Sequence, residues 1–569
     1  MARVLTLRAA EAREATSASL ARTVAWATAA LFAAIAAIVA VAFPIHASDA
    51  LTYGEWPRLI ADRGGFDFPD ITGAGYNRPL FYVLEGELWR LIGYSDASGR
   101  LLCGLFSVIL VAALVVIAGA RPWRRVATSI ALLLLLTVPV FAIQVVSTLT
   151  DVVVAAMVGA TAALSYVRRF APRVRAIALF CAAASAVLAK PNAIPALFGI
   201  ALAQLIGSET MRSRIVGRAL PIVAGAAVAF VYYPLEAHRV HLSVRSFLES
   251  GVTGPYYSHL ADVMRRSAIL DVGWLGDALR TALIFSLVYA ISRFARAGHR
   301  RAVAVSLAAA ALLSWLLPWI GAGEAPFAVG AFSGASALTA WIVTCGVLAA
   351  GLWAPHDSIP TVAELLRLCL WALPPFVAWA VYATYDLRFL SPAWPGLLAL
   401  IVVASLPSVA GLTRLRFGAL VPVVGLAAAV SLNVYNLDDL GRSGWDQWRR
   451  TPASRWFHAD TTRAIVLPAL RRALLVVRPQ MQDGGRLFSP EGAFRFFFPG
   501  RVEQSFPVNC SDVRGYRVLV LTTDQGSKDY MQNFLHVSDD PAHWAACPSP
   551  HLTQLTDGSE GYAVFKIQG

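Results

Sequence analysis

Residues 150–175 read TDVVVAAMVGATAALSYVRRFAPRVR, and this stretch decides the fold class. A single acid, Asp151, opens an apolar run that ends at Val167 and is followed by an arginine cluster: Arg168, Arg169, Arg173 and Arg175. A second apolar run, 176–190, ends at Lys190. Apolar runs of nearly this length, bounded by charge, are typical of helices that cross the hydrocarbon of a bilayer. The stretch therefore predicts two consecutive membrane spans.

The composition of the whole chain supports the same fold class. The chain has 569 residues, of which 57% are hydrophobic and only 15% are charged, and its mean hydropathy is +0.59. A soluble protein needs roughly 25% charged residues to cover its surface. These values exclude a soluble multidomain enzyme, a disordered chain and a disulfide-rich secreted module. The net charge of +13 falls mostly in short loops, so it does not indicate nucleic-acid binding.

Apolar stretches of this kind recur along the chain and predict an α-helical polytopic membrane protein of about thirteen spans. We place the spans near 23–43, 99–119, 126–145, 150–167, 176–190, 193–208, 217–234, 278–293, 302–320, 334–352, 367–384, 391–408 and 417–434. Arginine clusters occupy alternate loops, which the positive-inside rule assigns to the cytoplasm. The segment 1–23 is then cytoplasmic, and an odd number of spans places the tail 435–569 outside.

The predicted external segments differ in character. In the first, 44–98, the stretches Leu51–Arg63 and Leu80–Ile92 mix apolar and charged residues at helical spacing, which predicts helices lying on the membrane surface. The tail contains Arg517–Thr522 and Tyr562–Ile567, which have the composition of short strands between turn residues. We therefore expect a transmembrane domain over 24–434 and a small α/β domain over 435–569.

Two cysteines, Cys510 and Cys547, lie in the polar tail, whereas the other four lie in apolar segments. If the tail is outside the cytoplasm, these two are expected to form a disulfide. The sequence has no CxxC or HExxH metal motif, and no cofactor is predicted. A divalent ion such as Mg²⁺ or Mn²⁺ could be shared by Asp49, Asp151 and Glu324. No ligand spacing supports such a site, so metal dependence stays open.

Charged residues at the edge of a bilayer are costly, so each is a candidate for function. Asp49 directly follows the first span, where partial dehydration raises a carboxyl pKa and suits a general base. The alternative is that Asp49 caps a helix over Leu51–Arg63. Asp151 opens a very apolar helix and is either part of a binding site or a helix cap, with Thr150 as the alternative cap.

The candidate cations lie on the predicted outer side. Lys190, the only lysine before residue 528, suits binding of a phosphate as a point charge, or it extends to the headgroups with no further role. Arg388 suits a two-pronged grip on a lipid phosphate, or it pairs with Asp386. Arg78 is expected either to bind phosphate or to hold its loop. Glu324 is a lone acid in an apolar external hairpin.

Several short segments together resemble motifs of the GT-C superfamily of membrane glycosyltransferases, most closely the lipid A aminoarabinose transferase and protein O-mannosyltransferase group. Asp49 is similar to the Asp that follows their first span. The segment Asn77–Tyr82 (NRPLFY) looks like their PPLYY-type motif and carries Arg78 and Tyr82. Ala189-Lys190-Pro191 resembles their TKGP-type turn, and Asp386–Pro392 (DLRFLSP) resembles their ERYLLP-type motif. Thr150-Asp151 matches the acidic start of their fourth span.

The resemblance implies a glycosyltransferase in the bacterial cytoplasmic (inner) membrane that moves a sugar from a polyprenyl-phosphate donor to an acceptor hydroxyl outside. It implies inversion, with Asp49 as the base, and a donor and acceptor site that draws on Asp151, Lys190, Arg388, Arg78, Tyr82 and Glu324. The acceptor class, a glycan, a lipid or a protein, stays open. Two alternatives are a transporter or flippase of lipid-linked glycans, and an O-antigen ligase or polymerase. Transporters tend to show internal repeats and polar groups at mid-membrane. Ligases place key arginines and a histidine in a late, large loop.

Overall fold

The computed structural model of the protein describes residues 48–65, 78–93, 96–118, 150–167, 169–206, 210–244, 361–382, 391–400, 468–504, 507, 509–523, 541–559 and 561–568, with residues 30, 33, 34 and 403 singly. Most described residues before 468 are helical. The spans predicted near 23–43, 126–145, 278–293, 302–320, 334–352 and 417–434 lie outside the described residues or contribute only single residues to them.

The two helices predicted in the first external segment are present: α1 (Ser48–Arg63) and α2 (Pro79–Ile92). They pack closely at Gly86 of α2, which has no side chain to separate them. A Cβ atom at this position would lie 2.7 Å from Ile60 and 2.9 Å from the carbonyl oxygen of Pro57 on α1. Their position on a membrane surface stays a prediction. Helix α1 includes Ser48, so Asp49 lies inside the helix, which does not fit a cap of a helix over Leu51–Arg63.

Six helices form the apolar bundle: α3 (Asp96–Ala118), α4 (Asp151–Tyr166), α5 (Pro172–Ala189), α6 (Ile194–Ala203), α7 (Met211–Arg239) and α8 (Val362–Tyr382). Residues 394–400 add a further helical segment. By length and composition, the stretches Ser98–Ile117, Pro172–Ala189 and Met211–Arg239 are able to cross a membrane. The span predicted at 193–208 is shorter than expected, because a 3-10 turn takes up Pro191–Ala193 and α6 ends at Ala203.

Glycines set how closely the bundle helices approach. A Cβ atom on Gly199 of α6 would lie 2.1 Å from the carbonyl oxygen of Leu370 on α8, and one on Gly225 of α7 would lie 2.3 Å from that of Phe180 on α5. Small residues at helix contacts are the usual means of close packing in a membrane, where burial of apolar surface gives no drive between helices. Neither position can take a larger side chain without moving a backbone.

One end of the bundle is marked by arginines that cap helices. Arg175 donates to the carbonyl oxygen of Val167 after α4 at 3.5 Å, while Arg214 and Arg367 donate to the carbonyl oxygens of Leu205 and Ile206 after α6. The last carbonyls of a helix have no partner within the helix and carry partial negative charge, so a guanidinium stabilises them. Arg175 belongs to the arginine cluster that follows Val167 in the sequence.

The described part of the tail contains a five-stranded mixed sheet of order β2-β1-β3-β5-β4. Its strands are β1 (Leu487–Phe488), β2 (Val502–Glu503), β3 (Val518–Thr522), β4 (His551–Gln554) and β5 (Tyr562–Gln568). Strand β1 is parallel to β2 and β3, whereas β5 is antiparallel to β3 and β4. The two predicted strands correspond to β3 and β5.

Helices cover both faces of this sheet. Helices α9 (Pro468–Gln480) and α10 (Ala493–Phe497) pack on the face that carries Val518 and Val520, and α11 (Pro541–Ala545) packs on the face of Leu519 and Leu521. Strand β3 is therefore buried throughout, as its unbroken apolar sequence requires. A disulfide joins Cys510 and Cys547, whose Cα atoms are 5.8 Å apart. Both cysteines pack against the apolar cluster on the face of Leu519 and Leu521.

Candidate active site

A buried ion pair lies at the end of the bundle opposite the capping arginines. The ammonium group of Lys190 donates to Asp151 Oδ1 at 2.6 Å, and the two side chains are only 6% and 2% exposed. Ser391 Oγ donates to the same carboxylate oxygen at 3.5 Å. Two charges taken out of water require such geometry, because either one alone is strongly disfavoured in an apolar interior.

The local sequence explains why these groups meet. Asp151 is the first residue of α4, where a carboxylate is favoured by the positive end of the helix dipole. Lys190 follows the last residue of α5, where a cation is favoured for the converse reason, and Pro191 prevents the helix from continuing. Antiparallel packing of α4 and α5 then brings the start of one helix beside the end of the other.

A cation and a phenol form a second polar pair. Arg78 directly precedes α2, Tyr82 lies one turn further along, and the two side chains are hydrogen-bonded. Both are buried, at 6% and 2% exposure. Burial raises the pKa of the Tyr82 hydroxyl, and the Arg78 guanidinium opposes this rise only in part, so the phenol stays neutral at physiological pH.

Tyr233 of α7 links the two pairs. Its hydroxyl donates to the carbonyl oxygen of Val187 at 2.6 Å, three residues before Lys190, and its ring is fully buried. It also lies within electrostatic range of Arg78 and Tyr82. The structure therefore gathers four of the predicted site residues, Arg78, Tyr82, Asp151 and Lys190, at one end of the bundle.

The remaining predicted residues are described only in part or not at all. Asp49 is placed on α1 by its backbone, while its side chain lies outside the described structure. Arg388 and Glu324 also lie outside the described residues. Arg388 comes three residues before Ser391, which contacts Asp151, so the chain returns to the site just after this arginine.

Sequence analysis missed three residues that contribute to this region. Ser391 and Tyr233 carry no charge, so they gave no signal among apolar neighbours. Glu55 of α1 resembled a solvent-facing acid of an amphipathic helix, yet it is 1% exposed. A usable signal for Ser391 was its place in the DLRFLSP motif, directly before Pro392.

Within the described ranges, no three His, Cys, Asp or Glu side chains come together as a metal site. The side chains of Asp49 and Glu324 lie outside the described structure, so a divalent ion shared with Asp151 stays a prediction. The described donor set around Asp151 consists of an ammonium group and a hydroxyl, and the ammonium compensates the carboxylate charge.

In its described residues the protein is mostly helical, with helices long and apolar enough to cross a membrane and a buried, cation-containing site at one end of the bundle. No family model matches the sequence, and no curated protein matches it. Among solved structures, the chain is similar to ArnT from Cupriavidus metallidurans bound to undecaprenyl phosphate, with a TM-score of 0.49 and 14% identity. It is also similar to the same protein in the apo state, with a TM-score of 0.43 and 15% identity. Each comparison covers 94% of this chain and 97% of the other. ArnT belongs to the lipid A aminoarabinose transferase group that the sequence motifs resemble.

Proposed function

We propose that this protein is an inverting glycosyltransferase that takes its sugar from a polyprenyl-phosphate donor at the outer face of the cytoplasmic membrane. The observation that carries the proposal is the placement of two buried cations, Lys190 and Arg78, at the same end of an apolar bundle. A donor with its tail in lipid presents its phosphate at such an end. The structure of ArnT bound to undecaprenyl phosphate, which resembles this chain, contains a ligand of this kind.

The proposed reaction needs a base, an oriented donor and a stabilised leaving group. Asp49 takes the proton of the acceptor hydroxyl, whose oxygen attacks the anomeric carbon from the face opposite the phosphate. The bond from that carbon to the phosphate oxygen breaks, and polyprenyl phosphate leaves. Lys190, Arg78 and Arg388 hold the phosphate, and their positive charge stabilises the negative charge that grows as it leaves.

The Asp151–Lys190 pair has a defined part in this proposal. Asp151 fixes the ammonium group of Lys190 at the helix ends, so the cation is in place before the donor arrives and loses little freedom on binding. Ser391 fixes the carboxylate in turn. Tyr82, kept neutral by burial, retains its proton and can donate to a phosphate or sugar oxygen.

The test is transfer by the purified full-length protein in lipid nanodiscs, with a panel of polyprenyl-phosphate sugars and envelope glycan or lipid acceptors. The proposal predicts a new glycosidic bond, release of polyprenyl phosphate, and saturable binding of polyprenyl phosphate alone. Movement of a lipid-linked glycan across the bilayer of proteoliposomes, with no new bond, would instead support the transporter alternative.

A further inference from the structure

We infer that the C-terminal domain positions helix α1, and with it Asp49, through a buried ion pair between Glu55 and Arg495. This inference rests on the proposed function, because it assigns Glu55 and Arg495 as positioning residues for the transfer reaction. It gives the tail a role that neither the sequence motifs nor the bundle requires.

The contact between the two residues is close and buried. Arg495 Nη2 lies 2.5 Å from Glu55 Oε2, and the side chains are 12% and 1% exposed. The backbone N–H of Gly500 donates to Glu55 Oε1 at 2.9 Å. Both carboxylate oxygens of Glu55 are therefore engaged by the C-terminal domain. A surface ion pair would contribute little to the position of a helix, whereas loss of either partner of this buried pair would leave a charge without compensation in the interior.

Phe496 supplies the apolar part of the same contact. Arg58, one turn after Glu55, donates to the carbonyl oxygen of Phe496 at 2.6 Å, and its guanidinium carbon lies 5.5 Å from the centre of the Phe496 ring. The ring also meets Trp89 of α2 edge-on, with centres 6.1 Å apart. A Cβ atom on Gly54 would lie 2.8 Å from the ring, so this glycine admits the aromatic side chain against α1.

Asp49 and Glu55 lie on one continuous helix, six residues or about 9 Å apart along its axis. A shift at Glu55 is therefore expected to displace Asp49 as well, because both residues lie in the same helix. Because a displacement of about 1 Å at a reacting group can lower a rate by roughly 100-fold, a contact that fixes α1 controls the base without touching substrate. Donor binding, which we assign to Arg78, Lys190 and Arg388, is expected to depend on it much less.

The experiment compares Arg495→Gln and Glu55→Gln with the wild type in nanodiscs by two independent readouts. One is hydrogen exchange at the backbone of residues 54–63, with residues 151–166 as the internal reference. The other is transfer kinetics. We expect faster exchange only at 54–63, a kcat lower by roughly 10- to 100-fold, and a donor KM within about twofold of the wild type. Arg495→Lys, which keeps the charge, should restore part of kcat and serves if Arg495→Gln does not fold.

The control is Arg90→Gln, which removes an exposed ion pair between Arg90 and Glu87 on the adjacent helix α2. It should change neither readout. Unchanged exchange at 54–63 in both test variants would overturn the inference, and so would faster exchange with an unchanged kcat. If the wild type transfers no sugar, the proposed function fails, while the exchange data still decide whether the C-terminal domain holds α1.

Discussion

Lys190 and Asp151, 39 residues apart in the chain, form an ion pair of 2.6 Å at the junction of two helix ends. Each helix end favours the charge that it carries, and each charge removes the cost of burying the other. The pair is therefore both a constraint on the bundle and a source of a fixed cation at the candidate site.

These two roles can be separated by mutation. Lys190→Met leaves Asp151 buried without its counter-charge, and we expect a loss of about 3–5 kcal/mol in stability. The double variant Lys190→Met/Asp151→Leu removes both charges and should regain most of that stability, as seen in the melting temperature. It should still bind polyprenyl phosphate poorly, because the cation is absent. Recovery of binding together with stability would remove Lys190 from the phosphate site.

Asp49→Asn tests the proposed base. Asparagine keeps the size and hydrogen bonding of aspartate but cannot accept the proton, so turnover should fall by roughly 10²–10⁴-fold while donor affinity stays the same. Glu87→Gln is the matched control, because Glu87 lies on the adjacent helix α2 in a solvent-accessible ion pair with Arg90. Near-normal transfer by a well-folded Asp49→Asn would shift the search for a base to Asp151.

Substitution of Arg388 or Arg78 should lower the affinity for polyprenyl phosphate, whereas substitution of Asp49 should lower turnover. Replacement of either by alanine removes charge-assisted hydrogen bonds to the phosphate, worth about 1.5–3 kcal/mol each, so polyprenyl-phosphate affinity should fall by roughly one to two decades. Arg388→Lys should restore binding only in part, since an ammonium group lacks the two-pronged geometry. Binding measured by isothermal titration in nanodiscs gives the answer, and an affinity equal to that of the wild type in both alanine variants would contradict the assignment.

The disulfide between Cys510 and Cys547 makes a prediction about sidedness. A tail outside the cytoplasm should be isolated with both thiols oxidised when cells are lysed in alkylating agent without reductant. Closing a loop of this length stabilises the domain by about 3–4 kcal/mol in the chain-entropy model, so Cys510→Ser should lower its melting temperature. Alkylation of both cysteines at lysis would argue for a reducing location.

A reporter that is active only in the cytoplasm tests the predicted orientation directly. It should be inactive when fused after Gly569 and active when fused before Met1, because the arginine-rich loops are expected to face the cytoplasm. Activity at Gly569 would place the tail in the cytoplasm, whereas inactivity of the fusion before Met1 would place the ion pair of Lys190 and Asp151 on the opposite side from that proposed. A fusion within the loop around Arg169 provides an internal control.

The sequence identified the site residues that are chemically rare in their surroundings. Asp151 and Lys190 stood out because charge is scarce among apolar neighbours, and Arg78 and Tyr82 because of a motif. Their pairing could not be predicted, since it depends on how far α4 and α5 extend before they end. Glu55 was missed because its partner, Arg495, belongs to a separate domain, and a charged residue on an amphipathic helix normally faces solvent.

In the fold, too, local features could be predicted from the sequence, whereas contacts between distant segments could not. Hydropathy located the bundle helices that the structure describes, because length and apolar composition are local properties. It overestimated the span at 193–208, because the α-helix there begins at Ile194, ends at Ala203 and has only 10 residues. The order of the sheet, with β1 parallel to β3 and β5 between β3 and β4, depends on contacts between distant segments and had no local signal.

The distance between the two ends of helix α5 determines how deep the candidate site lies in a bilayer. From Arg175 to Lys190 the chain climbs α5 by about 22 Å at 1.5 Å per residue, whereas the hydrocarbon of a typical bilayer is roughly 30 Å thick. If the capping arginines lie at one membrane surface, as the positive-inside rule predicts, the ion pair lies beneath the opposite headgroups unless the lipid thins to meet it. Bilayer thickness, set by acyl-chain length, is therefore expected to change the depth of the site relative to the lipid headgroups without any change in the protein sequence.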